Sequence, residues 1–486
     1  MGPFALSSYN STKLPIVNKA LRLLKIITFC LICCAVSSGG ALFARAGGGG
    51  GHGGGGGHGG GGGGFGGGGG FHSYGGGGSG GPISPVGVMF IIIIVVVIVI
   101  VKARSQGSDA NAEGEGAIER QPAVPFPDGL DKVKVQSAFI EIQFAWQHKD
   151  LSNVRKWISD GVYQRYHAQF VMMNKLSQVN RLSNIRFNGI QPVKTASDGS
   201  YQTADVAVSF TMDDEFVSDK YPQFNERFPD DSDTEYWTFI KRQDAAPGKD
   251  LYNNNNCPKC GAPLEIKMGE ISRCGHCGTL TNNASYDWVL CEITQADDYT
   301  GVQGGEGDTQ LGELTKNDKS FSLARMEDIA SNVFMQLMLV LSGDSDKKLS
   351  RFADAKLAAD IIETKKNLGS FVFDRLYLNE IGITNYNTEN NRLNLIYGAK
   401  ATFQRVKADG KLMWIDPEMV TADFVLVLSK NLSALQTPEK ETVYSYECPA
   451  CGAPYTDTTD DYCTYCHEPV INLNRNWVLT GFKAGF

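Results

Sequence analysis

The chain has 486 residues with 12 Cys, 42% hydrophobic and 20% charged residues, a formal net charge of -8 and a pI near 5.5. That length exceeds one small domain, and that composition excludes both full disorder and a collagen-like rod. The acidic balance excludes a global attraction to nucleic acid or to an anionic membrane surface, so any basic binding patch has to be local.

The first hundred residues concern a membrane. Lys13, Lys19, Arg22 and Lys25 precede an apolar run at 26–36, which softens through Ser37, Ser38, Gly39 and Gly40 to Ala44-Arg45-Ala46. Residues 1–46 therefore have the layout of a signal peptide, with a basic start, a short apolar centre and a small-residue exit; the competing reading is an uncleaved first transmembrane segment reaching Phe43. Cys30, Cys33 and Cys34 lie in or beside that centre and behave there as small hydrophobes. Of the 56 Gly, 27 fall between 47 and 81, and the tract 47–82 reads as a flexible tether because poly-Gly cannot repay its ordering entropy. His52, His58 and His72 within it offer at most loose metal binding, since their spacing is irregular.

The second apolar stretch, 83–101, runs from Met89 to Val101 without one polar side chain and is expected to be a transmembrane helix. Lys102 and Arg104 follow at once, so the positive-inside rule puts everything after Val101 in the cytoplasm. The expected location is the cell membrane, single-pass if the first segment is removed and two-pass if it is kept. Residues 102–127, rich in Gly, Ala, Glu and Pro, read as a linker.

A first α+β domain is expected over 128–298. Val135, Ala138, Phe139, Ile142, Ala145 and Trp146 form one face of an amphipathic helix. Asp150 is a candidate cap for a second helix carrying Val154, Trp157 and Ile158, and Val162, Tyr166, Phe170 and Met173 mark a third. Strand patterns follow at 185–190, 200–211, 235–241 and 286–293. Helices first and a meander of strands afterwards is an α+β order.

After a linker at 299–320, a second domain over 321–486 repeats this order. Sliding the chain from Phe139 to Phe334 pairs Ile142 with Leu337, Trp146 with Leu341, Val154 with Leu349, Trp157 with Phe352 and Val162 with Leu357. Trp288-Val289-Leu290 likewise corresponds to Trp477-Val478-Leu479.

Two cysteine motifs recur in the same frame. Cys257, Cys260, Cys274 and Cys277 lie at 257–278, and Cys448, Cys451, Cys463 and Cys466 at 448–467. Two C-x2-C pairs joined by a short hairpin bring four thiolates to the corners of a tetrahedron, so two structural zinc ribbons are expected, with Zn2+ as cofactor. Gly261, Gly278, Gly452 and His467 follow the second Cys of each pair, where the tight knuckle needs a positive φ. The rivals are disulfides or a C-x-x-C redox site, which a cytoplasmic location disfavours. His276 and His467 are possible substitute ligands, and Cys291 reads as core. Four thiolates leave no open coordination position, so no metal chemistry is assigned. The second ribbon has Asp457, Asp460, Asp461 and Glu468 and no Lys or Arg between Cys448 and Cys466, which opposes nucleic-acid binding.

The run from Phe139 through Gln143 and Ala145 to Trp146, the following Asp150, Leu151, Val154 and Arg155, and later Glu235-Tyr236-Trp237-Thr238-Phe239 and Trp288-Val289-Leu290 carry a resemblance. The chain resembles the membrane-associated domain of subunit forty-four of the mitochondrial inner-membrane import translocase, in its bacterial membrane-anchored versions, over 130–293 and more weakly over 323–482. The resemblance implies a cone-shaped domain of the nuclear transport factor two-like superfold: helices against a curved antiparallel sheet enclosing an apolar pocket, with lipid and translocase partners. Trp146, Trp157, Tyr163, Tyr166, Trp237 and Trp288 are then candidates to line that pocket, or else plain core.

The function expected on this footing is a membrane-tethered scaffold that binds a partner protein or a lipid, linked to protein transport, and not an enzyme. A cone-fold enzyme acting on a small hydrophobic substrate is the alternative, with His148 and His167 near Asp150 and Asp160 as its general acid or base. A nucleic-acid-binding ribbon protein is the third reading.

Overall fold

The computed structural model describes residues 124–264, 272–299, 301, 321–409, 411–435, 448, 451, 453, 462–468 and 476–485, and 43–45 and 48–50 as backbone. The expected signal segment, Gly tract, transmembrane helix at 83–101 and most of both linkers lie outside these residues. The exceptions in that region are β1 (Phe43–Arg45) and β2 (Gly48–Gly50), which pair antiparallel. Among the described residues, no helix is long and apolar enough to cross a membrane.

Helix α1 (Lys132–His148) starts where the Asp131 side chain accepts from the Lys134 amide and stops at Lys149, whose φ of 53° ends the helical path. Its buried face holds Val135, Ala138, Phe139, Ile142, Ala145 and Trp146, the face expected from the period. The expected second helix does not form. Asp150 Oδ1 accepts from the Ser152 amide and hydroxyl, which folds the chain into turns instead. The backbone of Trp157 and Ser159 is then used by a parallel bridge to Leu290, with Leu290 N donating to Trp157 O at 3.0 Å and Ser159 N to Leu290 O at 2.9 Å. A peptide committed to a strand cannot also close helical turns. Ser159 caps α2 (Asp160–Lys175) by accepting from the Val162 amide.

Four strands follow as an antiparallel meander: β3 (Gln178–Asp198), β4 (Tyr201–Ser218), β5 (Glu226–Arg242) and β6 (Val289–Gln295), in the order β3-β4-β5-β6. Edge strand β3 has three register breaks against β4, where bulges bend it; Pro192 sits at one, where no ladder amide is needed. These strands enclose a core with Phe139, Trp146, Trp157, Phe210, Trp237 and Trp288.

The second half runs through the same order. Helix α3 (Leu323–Leu341), a 3-10 turn at Asp346–Arg351, and α4 (Ala355–Leu368) precede β7 (Val372–Glu389), β8 (Arg392–Asp409), β9 (Lys411–Trp414), β10 (Val420–Asn431) and β11 (Val478–Lys483). The sheet order is β11-β10-β8-β7, with the additional β9 on β8. The bridge recurs too: Ala353 pairs parallel with Leu479, and Asp354 caps α4 as Ser159 caps α2. Phe334, Phe352, Phe373, Phe403 and Phe424 sit in this second core.

The halves interlock through α2 and α3. Ala168 and Met172 of α2 belong to the second core, and Tyr377 of β7 to the first. Of the 19 residues of α3, 16 are buried, which leaves Arg325, Glu327 and Asp328; a helix apolar on nearly all sides has to be enclosed by its neighbours. Each half also satisfies the other's helix start. Asp198, at the β3–β4 turn, accepts from the amides of Leu323 and Ala324 and from Ser322 Oγ at the head of α3. Asp328 of α3 in turn accepts from Ser159 Oγ at 2.5 Å and from the Gly161 amide at 3.0 Å at the head of α2. Both carboxylates thus accept from amides that a helix start leaves without an intrahelical partner.

Candidate metal centres

The segment between β5 and β6 carries the first cysteine group, and the segment between β10 and β11 the second. Two short bridges frame the first: Asn256 with Pro263 and Arg273 with Leu280. Within each C-x2-C pair the chain makes a knuckle. Gly261 N donates to Cys257 O and Gly278 N to Cys274 O, both at 2.9 Å, with φ of 76° and 71° at the two glycines. His467 makes the same bond to Cys463 O at 2.9 Å with φ of 59°, so the imidazole residue takes the left-handed conformation expected of it.

The knuckles converge the thiols. In each group of four Cys the ligand atoms all lie within 4.8 Å of one another. Cys257 and Cys277 Sγ are 3.6 Å apart and Cys260 and Cys274 Sγ 3.8 Å; Cys448 and Cys466 are separated by 3.3 Å and Cys451 and Cys463 by 3.7 Å. A tetrahedron with metal–sulfur bonds of about 2.3 Å has edges of about 3.8 Å, so both groups fit one ion each. None of the eight is in a disulfide, and each of these separations exceeds the roughly 2.05 Å of an S–S bond.

The electrostatics of the first group are uneven. Burial pushes the Cys257 thiol up to about 12. Burial also acts on Cys274, but the amides of Cys277 and His276 and the neighbouring thiols bring it down to about 7. Backbone N–H groups aimed at sulfur favour thiolate, the form that binds a metal. Cys257, Cys274, Cys448 and Cys463 are buried, Cys260, Cys451 and Cys466 exposed, and Cys277 lies between.

The six aromatic candidates are packed in the first core. Trp146 Nε1 donates to Asn180 Oδ1, Trp237 Nε1 to Glu235 Oε2, and Trp288 Nε1 to the Asp128 carbonyl. Trp157 stacks on Tyr252, Tyr166 meets Trp146 edge-on, and the Tyr163 ring carries the Arg155 guanidinium over it and stacks with His167. None lines the cavity of about 540 Å³ that opens between the halves, whose walls include Thr238, Cys291, Asn379, Lys400 and Phe424. Cys291 is buried there and donates to the Thr238 carbonyl.

The histidines and carboxylates singled out for acid–base chemistry are engaged elsewhere. His148 Nδ1 lies 2.8 Å from the carbonyl of Phe144 and its ring stacks on that side chain. Asp160 pairs with Arg155 and accepts from Asn282, while Asp150 holds Ser152.

Sequence reading missed Tyr462 and Tyr465, which flank Cys463 and are 59% and 68% exposed. They occupy the places that Arg273 and His276 hold in the first group, a difference visible only once the motifs are superposed. It also missed Asp198 and Asp328, although Asp198-Gly199 is a hairpin signal.

No curated protein and no solved structure matches the chain. Residues 132–250, from the start of α1 to the loop after β5, match the Tim44-like domain family.

Proposed function

We propose that this chain is a membrane-tethered scaffold with two related α+β halves facing the cytoplasm, each stiffened by a zinc ribbon, that recognises a partner protein in membrane protein transport or assembly. The observation that carries it is the recurrence of a closed four-thiol group at the same point of two like-ordered sheets, the first of them matching the Tim44-like domain over 132–250. Cys257, Cys260, Cys274 and Cys277 would hold one ion and Cys448, Cys451, Cys463 and Cys466 the other. Zinc so bound supplies a cross-link between loops and offers no open position for a reacting water. That supports binding over catalysis. The matched order of elements, the paired bridges at Leu290 and Leu479 and the shared knuckles support an internal duplication. The membrane anchor rests on the apolar run at 83–101 and on Lys102 and Arg104 after it.

Recognition falls to the second ribbon. Two exposed tyrosines on a metal-stiffened loop offer large amphipathic contacts at low entropic cost. Co-purification from detergent extract tests this: the parent chain is expected to retain a specific protein that Tyr462→Ala with Tyr465→Ala releases. Bound RNA, or a small molecule turned over by the chain, would refute it. Thiol labelling of intact cells tests the orientation, since ready labelling from outside of Cys260 or Cys466 would reverse it.

A further inference from the structure

The turn segment between α1 and α2 is held from two sides. On one side the first cysteine group grips it. Ser272, two residues before Cys274, donates from Oγ to the Arg155 carbonyl at 3.1 Å and shares a 2.6 Å bond with Thr281. Asn282 Nδ2 donates to the Ile158 carbonyl at 3.1 Å and to Asp160 Oδ1 at 3.0 Å. Lys156 Nζ reaches back to the Asn254 carbonyl and to Asn255 Oδ1, just ahead of Cys257. Ser272, Thr281 and Arg155 are all buried, so these bonds form away from water and are costly to leave unmade. Arg155 binds the segment to itself, donating to the Ile158 carbonyl and pairing with Asp160.

On the other side the same few residues receive the second half. Ser159 Oγ and the Gly161 amide donate to Asp328 of α3, and four residues along, Arg165 Nε donates to Ser331 Oγ of the same helix at 2.8 Å. The approach leaves no slack: a Cβ on Gly161 would lie 2.2 Å from Asp328 Oδ1 and 2.6 Å from the Asp328 carbonyl oxygen.

We propose that metal binding at the first cysteine group is coupled to the docking of α3 on α2, with segment 155–161 as the shared element. The coupling rests on the zinc reading above and goes beyond it, because it makes the first ribbon a strut of the body rather than an appendage. Because metal affinity in such loops is folding free energy, thiols without a shared ion leave Ser272 and Asn282 on a loosened support. The start of α2 then loses the position at which Asp328 meets it. The second group belongs to the other half, between β10 and β11, and serves as the internal control.

Hydrogen exchange on the full chain in detergent micelles tests the coupling, with zinc content measured alongside. Stripping zinc with a chelator is expected to speed amide exchange in α2 and around Asp328 in α3 by about tenfold or more, the scale of one lost buried hydrogen bond, and added zinc to restore protection. Ser272→Ala with Asn282→Ala is expected to speed the same amides while zinc stays bound. Cys463→Ser, which disarms only the second group, is expected to leave them protected. If chelation exposes the amides of 257–281 but leaves α2 and α3 unchanged, or if the double variant exchanges like its parent, the coupling is overturned and the zinc reading survives. A chain that takes up no zinc overturns both.

Discussion

Asp328 ties the stability of the junction between the halves to pH. Burial raises its carboxyl from 3.8 to about 7, and the nearby charges of Asp160 and Glu292 push the same way against the Ser159 hydrogen bond and Arg325. A carboxyl raised in the folded state contributes stability that is fully present below its unfolded value near 3.8 and is lost as pH climbs through about 7. At 1.36 kcal/mol per pH unit that difference is worth about 4 kcal/mol, and partial solvent access around the residue reduces it to about 2–4 kcal/mol. Asp328→Asn keeps an oxygen to accept from Ser159 and Gly161 but cannot ionise. Urea unfolding followed by fluorescence of the buried Trp157, Trp237 and Trp288 measures the difference between variant and parent directly, and other titrating groups cancel. We expect the two to unfold alike near pH 4 and the variant to be the more stable by about 2–4 kcal/mol at pH 8. A variant-minus-parent difference that does not change between those pH values would refute the reasoning.

Gly161→Ala should destabilise by about 2–4 kcal/mol in the same unfolding assay, because a methyl so close to a backbone oxygen forces α2 and α3 apart. Asp198→Ala removes the acceptor of three bonds at the head of α3 and should cost about 2–3 kcal/mol, read as a lower urea midpoint with an unchanged slope. Elemental analysis should find two zinc per parent chain and one in Cys463→Ser, since each group supplies four thiolates to one ion.

What the sequence disclosed follows the range of each interaction. The buried face of α1 was readable because the helical period writes it into adjacent turns, and the cysteine groups because their ligands are close in sequence and chemically distinctive. The first half of β5 was not: Asp231, Ser232 and Asp233 show no alternation, and only pairing with β4 makes them a strand. The apolar spacing of Val154, Trp157 and Ile158 suggested a helix, yet all three are buried from turns, since burial needs only direction and not period. Asp198 and Asp328 could not be recognised as caps, because the helix that each one serves lies more than a hundred residues away.

The reciprocal capping of α2 and α3 also bears on how the polypeptide matures during translation. The ribosome releases the first half before α3 exists, so α2 waits with Ala168 and Met172 uncovered and the Gly161 amide without the acceptor that Asp328 supplies, while the β3–β4 turn already presents Asp198. The earlier-made half thus becomes a template on which the later one nucleates, and a nascent chain stalled between them would display a greasy helix that chaperones are suited to shield.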